Sequence, residues 1–300
     1  MNPFEDLKES KKPDRKVEVE IVRDELVDAV VEGFSLFGRF DGDVNSFDKV
    51  KSFKDSKKES LESKVLNPIQ FDTVLKRLIC KCGSSDYWND LSNKNMNITL
   101  SLYLTLLLEN SYKNGHNNFV LSTGETKLNY LLIGSKFDDK NPLIISEIKG
   151  SVGDEFADGA TKVSVGEIKG SVGDWFARNA RDVSVGVIGG NVGYGFAYGV
   201  TKVSVGEIKG SVGYEFAYGA TKVSVGEIKG SVGDLFAYGA TKVSVGVIGG
   251  SVGDWFADGA TNSTFKTYKP KLYEKLLKIV PNQVGEDCNK VILLKKMEVK

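Results

Sequence analysis

The sequence predicts a mainly β fold. We expect a parallel single-stranded β-helix (β-solenoid) of 20-residue coils, capped by a small N-terminal α+β region and a C-terminal helix. Three observations predict the solenoid: a repeat of constant length, apolar residues at the same places in every copy, and abundant glycine. Glycine accounts for 33 of the 300 residues, well above the usual share of about 7%. A fixed period of this length is typical of proteins whose repeats stack on one another.

The repeat unit is Ser-Val-Gly-Asp-x-Phe-Ala-x-Gly-Ala-Thr-Lys-Val-Ser-Val-Gly-Glu-Ile-Lys-Gly. The last copy loses the pattern after Thr261, and a half copy, 143–150, precedes the first. The segment 131–140 is a candidate for a degenerate earlier turn, with Phe137 one place out of register. Full copies begin at Ser151, Ser171, Asn191, Ser211, Ser231 and Ser251.

Three places of the unit form columns of six identical apolar residues each, which is expected when each copy is one coil and successive coils stack in register. The columns are Phe156, Phe176, Phe196, Phe216, Phe236 and Phe256; Val152, Val172, Val192, Val212, Val232 and Val252; and Ile148, Ile168, Ile188, Ile208, Ile228 and Ile248.

Glycines are expected at the corners of each coil. Val163 and Val165 alternate with polar residues as in a strand, and the alternation slips by one residue at Gly166. Such a slip indicates a corner between two short strands. Gly159 begins a further glycine column, in which Asn179 is the exception. Because asparagine tolerates left-handed backbone best after glycine, a positive φ is expected in this column.

Two other folds are compatible with parts of the pattern. Val172, Phe176 and Ala180 lie four residues apart, as on one helical face, which would give a strand-plus-helix repeat of the leucine-rich kind. Gly173 and the glycine column of Gly159 oppose a helix there. An antiparallel meander of ten-residue strands is the second alternative, but the array lacks hairpin turns such as Asn-Gly.

The segment Gly170-Ser171-Val172-Gly173-Asp174, followed by Phe-Ala, a bend and a return strand, resembles the glycine-patterned coil (GxxGxxxG) of a known right-handed β-helix. That β-helix forms the C-terminal domain of glutamate synthase, and a similar coil builds one of the subunits of formylmethanofuran dehydrogenase. The resemblance covers about residues 150–262, and Ala177 stands where the third glycine would be. It implies a structural partner of catalytic domains that carries no catalytic residue itself.

Three regions are predicted along the chain: an α+β region at 1–140 with a polar linker at about 38–66, the solenoid at 141–262, and a C-terminal cap at 263–300. In the first region we expect helices at 24–37 and 69–79, and strands at 17–22, 119–122 and 127–134. The segment 96–112 is compatible with a helix, which its leucines favour, or with a strand, because alternate residues from Ile98 to Leu104 are apolar.

The C-terminal cap is predicted to cover the last coil. Pro270 ends the decaying repeat, and 272–280 forms an amphipathic helix whose Leu276, Leu277 and Val280 can pack on that coil. A strand at 291–294 follows.

Composition argues against several classes of function. The 40 Lys and Arg residues balance 40 Asp and Glu, so no nucleic-acid or membrane binding is predicted. A single histidine, His116, leaves little for histidine-based zinc or catalytic sites. Cys80 and Cys82 could supply only two of the four ligands of a structural zinc. We therefore predict no catalytic residue, no metal site and no cofactor, and a non-enzymatic protein is favoured.

The cellular compartment is inferred from the absence of signals. The charged N-terminus has no apolar core of a signal peptide. The longest mostly apolar run, 98–108, is too short to span a membrane. Three cysteines cannot build a disulfide framework. We expect a cytoplasmic protein.

The surface of the coils carries ladders of identical side chains. The outward pair Glu167 and Lys169 is replaced as a unit by Val187 and Gly189, which indicates a charge-paired face. The aspartates that follow glycine, such as Asp154, lack calcium-binding spacing and are expected to cap their own turns. Exposed tyrosines provide contact area at low entropy cost. The candidate binding residues are Tyr194, Tyr198, Tyr214, Tyr218 and Tyr238.

These observations predict a non-enzymatic scaffold that contacts another macromolecule, most simply a protein partner, through its solenoid surface. A glycan- or polymer-binding module that uses the tyrosine ladder is one alternative. A structural component of an oxidoreductase complex is the other.

Overall fold

A computed structural model describes residues 24–82, 94–138, 140–280 and 289–295. The nine strands form one parallel sheet in chain order. The predicted class, a mainly β solenoid with N-terminal helices and a C-terminal helix, is confirmed. The elements are α1 (Glu25–Phe37), α2 (Phe47–Ser56), a 3-10 helix (Lys58–Leu61), α3 (Pro68–Cys82), α4 (Lys94–Lys113), β1 (Phe119–Gly124), β2 (Leu143–Gly150), β3 (Lys162–Ile168), β4 (Asp182–Ile188), β5 (Lys202–Ile208), β6 (Lys222–Ile228), β7 (Lys242–Ile248), β8 (Thr264–Thr267), α5 (Pro270–Ile279) and β9 (Lys290–Leu293).

The coils stack in register at a spacing of 20 residues. Val163 pairs with Val183 and Ile168 with Ile188, and the same pairings recur in the following coils. Val152 and its equivalents form a second line of parallel bridges. From Phe156 to Phe256 the phenylalanine rings are stacked, with neighbouring centroids 4.8–5.1 Å apart and planes within 8°. The predicted apolar columns therefore form the core of the solenoid.

The glycine of the phase slip does not form a corner. Strand β3 continues through Gly166, and the pairing with the next coil keeps the same register on both sides of this residue, so the slip is a local change of side-chain direction within one strand. A Cβ at Gly166 would lie 2.3 Å from the carbonyl oxygen of Ser146 in the previous coil. Glycine is needed there because the backbones of successive coils approach closely, and the prediction of two short strands was wrong at this point.

The corner at Gly159 is a pair of consecutive turns. The N–H of Asp158 donates to the carbonyl of Glu155, and that of Ala160 to Ala157. Glu155, Ala157 and Gly159 have φ of 57°, 57° and 64°. A positive φ at the third residue is what type II turns require. The predicted positive φ at this column is confirmed, with 54° at Asn179, whereas the other two positive φ angles of the corner were not predicted.

Polar side chains link each coil to the next. The Oδ1 of Asp154 accepts a hydrogen bond from the N–H of Asp174, and Asp174 accepts from Tyr194 in the same way. The Oγ of Ser151 accepts from the N–H of Ser171. The aspartates therefore cap the neighbouring coil, and the prediction that they cap their own turns was wrong.

The coil that contains β1 is a degenerate first coil. The N–H of Ala157 donates to the carbonyl of Leu131, as that of Ala177 donates to Phe156. Leu131, and not Phe137, thus continues the phenylalanine column. Tyr130 and Leu132 have positive φ like the corner residues above them. The segment 127–134, predicted as a strand, is in fact this corner.

The N-terminal helices cover the first coil. The predicted helices over 24–37, 69–79 and 96–112 are confirmed by α1, α3 and α4, and the strand over 119–122 by β1. The strand predicted at 17–22 lies outside the described residues. Helix α3 packs along β1, where Phe71 and Phe119 meet edge to face at 5.5 Å.

The stretch 38–66 is not a linker. It contains α2 and the 3-10 helix, and it buries Val50, Leu61 and Leu66. The Nζ of Lys54, a residue that is 1% exposed, donates to Glu109 at 3.0 Å and to the carbonyl of Ile133 at 2.6 Å. A buried ion pair thus joins α2 to α4 and to the corner of the first coil, so this part of the chain is integral to the cap.

The C-terminal cap follows the prediction except at one residue. Helix α5 begins at Pro270, and Leu276 and Val280 are buried against the last coil. Leu277, in contrast, is 41% exposed. The predicted last strand is β9, which pairs with β8. No described helix is long and apolar enough to cross a membrane.

Removal of one whole coil should leave the fold intact. We expect a variant that lacks residues 211–230 to keep its β-sheet circular dichroism and unfold cooperatively, with the melting temperature lowered by less than about 10 °C. A variant that lacks only 211–220 should show no cooperative unfolding, because every later column loses its register. Equal melting curves for the two deletions would contradict the stacking of 20-residue coils.

Candidate binding face

The three tyrosines of the predicted ladder stack. The rings of Tyr198 and Tyr218 lie 5.0 Å apart and within 4° of parallel, and those of Tyr218 and Tyr238 lie 5.1 Å apart at 15°. All three side chains are half-buried at the Gly159-type corner of successive coils. The 20-residue register therefore brings together residues that are distant in sequence.

The two remaining predicted tyrosines differ from the stack. The hydroxyl of Tyr194 donates to Glu215 at 2.6 Å, a bond that raises the pKa of Tyr194 to about 12. Its ring meets the edge of Trp175 at 4.5 Å. Tyr214 is 56% exposed. One tyrosine is thus held in place by neighbours, whereas the other is open to a partner.

Trp175 anchors the lower end of the ladder. Its indole lies over Gly195 of the next coil, where an added Cβ would come within 2.5 Å of the ring. It also meets Tyr198 at 5.7 Å and lies 5.1 Å from the guanidinium of Arg178. The tyrosine stack therefore rests on a packed aromatic group rather than on solvent.

The stacking decides which parts of the tyrosines remain available. Tyr218 has a ring on both sides at about 5 Å, so both of its faces are covered. The negative face of an aromatic ring is the part that receives a cation or packs flat on an apolar ligand. Tyr218 instead offers its edge and its hydroxyl, a surface suited to lateral packing and hydrogen bonding.

A lysine column lies four residues after the tyrosines. Lys202, Lys222 and Lys242 are exposed and paired in register as successive rungs of β5, β6 and β7. No carboxylate lies within 4.0 Å of these three ammonium groups in the part of the chain that the structure describes. At a strand spacing of about 4.8 Å, adjacent lysines repel by up to about 1 kcal/mol in water. The column is a positive stripe without ion pairs of its own, and Asp182 is the residue in register below Lys202.

Several other lysines of the coils form ion pairs. Asp182 is the neighbour of the stripe on its lower side, and Lys162 lies one coil below this aspartate. The two side chains form an ion pair at 2.7 Å. On the opposite part of the coil, Lys169 contacts Glu167 and also Glu147 of the previous coil. The predicted charge-paired face is therefore confirmed there. The stripe was not predicted, although the identical segment Tyr-Gly-x-Thr-Lys in three consecutive copies was a signal for it.

A buried ionic cluster bounds the face below. Arg178 donates to the carboxylates of Asp158 and of Glu155, and the hydroxyl of Tyr130 donates to Glu155 at 2.8 Å. Asp158 is 1% exposed, and its Oδ1 has no hydrogen-bond partner among the described residues. Burial raises the pKa of Asp158 and of Glu155, and Arg178 only partly offsets it. One arginine thus pairs with two carboxylates that are largely removed from water.

A cleft and two cysteines lie away from the ladders. An open cleft of about 510 Å³ is lined by Lys94, Asn97, Glu125, Lys127 and their neighbours, and the amide of Asn97 bonds the backbone of Lys127. No group of three or more His, Cys, Asp or Glu residues placed to hold a metal was found among the described residues. Cys80 is exposed on α3, whereas burial raises the pKa of Cys82 to about 11.

Comparisons with known proteins add no family. No model of a protein family, no curated protein and no solved structure matches this chain. The parallel solenoid is a property of the structure itself, and its resemblance to the glycine-patterned β-helices named above rests on the coil pattern alone.

The ionic cluster predicts a pH dependence of stability. Because folding raises both carboxyl pKa values above their ordinary 4.5 and 3.8, the folded protein binds more protons than the unfolded one. The contribution of these groups therefore falls as the pH rises above their ordinary pKa values. In Glu155→Gln this fall should be smaller than in the wild type, as measured by urea unfolding at several pH values. The exposed Glu125→Gln is the control and should match the wild type. An unchanged pH profile for Glu155→Gln would contradict a buried carboxyl pair.

Proposed function

We propose that this protein is a non-enzymatic repeat scaffold that binds an acidic segment of a partner protein. The binding face consists of Tyr198, Tyr218 and Tyr238 together with Lys202, Lys222 and Lys242. The observation that carries the proposal is the presence of both ladders in the same three consecutive coils. Outside these coils the tyrosine place holds Asp158, Arg178 and Asp258, and the pattern ends.

The charge of the face supports an acidic partner. The protein as a whole is neutral, yet three exposed ammonium groups lie in one line, and among the described residues no carboxylate comes within 4.0 Å of them. Carboxylates of a partner would relieve the repulsion between the lysines, and opposite charges also speed the encounter. The binding should therefore weaken as the salt concentration rises.

The rigidity of the face also supports binding. Each tyrosine lies on a backbone fixed by hydrogen bonds to the coils before and after it. The ring stacking fixes the side chains as well, so little entropy is lost when a partner packs on their edges. Tyrosine is among the residues that contribute most to protein interfaces. Tyr214, four residues before Tyr218 and 56% exposed, offers a further tyrosine on the same coil.

The alternative of a glycan-binding module has less support. Flat packing of a sugar on Tyr218 requires a free ring face, and both faces are covered. The alternative of a structural component of an oxidoreductase complex rests on the coil resemblance, and no contact in the structure adds to it.

A selection from random peptides tests the proposal. A phage library of 12-residue peptides is selected on the full chain, and the enriched peptides are expected to be rich in Asp and Glu. The best peptide is then synthesised and its affinity measured by fluorescence anisotropy. Tyr218→Ala should weaken binding by roughly 5- to 30-fold, a typical loss for an interface tyrosine. Lys222→Glu should weaken it by at least about tenfold.

The control is Lys229→Glu, which makes the same charge change in the same coil but outside the face. It should leave the affinity within about twofold of the wild type, because surface charges far from the contact act weakly. Thermal melting of Tyr218→Ala is measured in parallel. Failure to enrich acidic peptides, or equal losses in Lys222→Glu and Lys229→Glu, would overturn the proposal. Binding of uncharged glycans on an array with loss in Tyr218→Ala would favour the alternative.

A further inference from the structure

The parallel sheet ends in two edge strands with different surroundings. At the first edge, helix α3 packs along β1. The N–H of Ser122 on this strand donates to the carboxylate of Asp72 at 2.8 Å, and the hydroxyl of Ser122 bonds the other oxygen of Asp72. A side chain of α3 therefore takes the place that a neighbouring strand would occupy, and this edge is closed.

The last edge, β9, is open among the described residues. The N–H of Lys290 donates to Ser263 at 2.7 Å and that of Leu294 to Thr267 at 2.8 Å, both toward β8. Because the direction of the backbone groups alternates along a strand, the N–H and C=O of Val291 and Leu293 point away from β8. Within the described ranges the sheet has no further strand on that side, so four backbone groups are without a strand partner there.

Apolar side chains surround this edge. Ile292 is 38% exposed and Leu293 is 41% exposed. Tyr268, which follows β8, and Leu277 of α5 are 43% and 41% exposed. An open strand edge bordered by exposed apolar side chains is a template for pairing with another strand.

We infer that β9 pairs antiparallel with β9 of a second copy of this chain and forms a closed dimer. The pairing is centred on Ile292, which lies opposite Ile292 of the second copy. Val291 then lies opposite Leu293 of the second copy, and Leu293 lies opposite Val291 of the second copy. This register provides four hydrogen bonds and satisfies all the outward backbone groups of Val291 and Leu293 in both copies.

A second copy fits this edge for two reasons. A two-fold axis requires a self-complementary surface, and the four outward groups in this register are self-complementary. The charges also agree: Lys290 lies opposite Leu294 of the second copy, and Lys295 opposite Asn289, so no lysine directly faces another. Head-to-tail stacking would need a free β1, which α3 covers. The assembly therefore stops at two copies.

The interface is small, because β9 spans only Lys290–Leu293. Interfaces at the low end of the size range are weak and transient. A dissociation constant of about 10–100 µM is therefore expected, which corresponds to a weak association.

Sedimentation equilibrium of the full chain tests the dimer. The mean mass should rise from 32.7 kDa toward twice that value as the concentration increases from about 5 to about 300 µM. Leu293→Pro removes an outward N–H but none of the bonds to β8, and it should remain monomeric throughout. Leu293→Val keeps the N–H and should dimerise within about threefold of the wild type. A monomeric wild type, masses beyond the dimer, or dimerisation of all three chains would overturn the inference.

Cysteine cross-linking provides a second measurement that does not depend on the proline variant. Cys80 and Cys288 are first replaced by serine. In an antiparallel pair, directly opposed residues that do not exchange hydrogen bonds have Cα atoms about 4.5 Å apart, within the range of a disulfide. Ile292→Cys should therefore form a disulfide-linked dimer on mild oxidation, whereas Lys290→Cys should not. Cross-linking of both or of neither would overturn the register.

The dimer is independent of the proposed binding face. Tyr218→Ala should sediment like the wild type, and the acidic peptide should bind Leu293→Pro with wild-type affinity. The experiments can therefore refute the dimer or the binding face separately.

Discussion

The structure depends on one constraint: the inward side chains of each coil are covered by the same residue types in the coils before and after it. Phe196 is covered on its two faces by Phe176 and Phe216, which belong to the previous and the next coil. Backbone hydrogen bonds run between coils in the same way. A single coil therefore cannot fold alone, and the two ends of the stack need separate covers. Helices α3 and α4 cover the first end, and α5 covers the core at the last.

The sequence was most informative where the copies are nearly identical. The valine, isoleucine and phenylalanine columns, and the stacking of Tyr198 on Tyr218, follow from the period alone, because parallel coils in register place residues 20 apart on top of one another. The degenerate first coil lacks this identity. Backbone pairing places Leu131 in the phenylalanine column. The chain between Leu131 and Phe156 is five residues longer than one repeat, so a search at a spacing of 20 does not find this coil.

Other features depend on tertiary contacts that no local pattern records. The stretch 38–66 is rich in polar residues, yet Lys54 is buried because Glu109 and the backbone of Ile133 neutralise and solvate it. The positive φ angles of Glu155 and Ala157 oppose the preference of those residues. They persist because the N–H groups of both residues bond the adjacent coils. The lysine column was visible in the sequence, but its lack of carboxylate neighbours required the coordinates.

Near-identical coils raise the question of what prevents a chain from folding with the stack displaced by one whole repeat. The indole of Trp175 fits only above a residue without a side chain, and in the array that residue is Gly195. A displaced stack would bring Glu215 onto the indole and would separate Arg178 from Asp158. The few irregular residues thus fix the register of the stack. They disfavour displaced stacks that the identical residues of the repeat would tolerate equally.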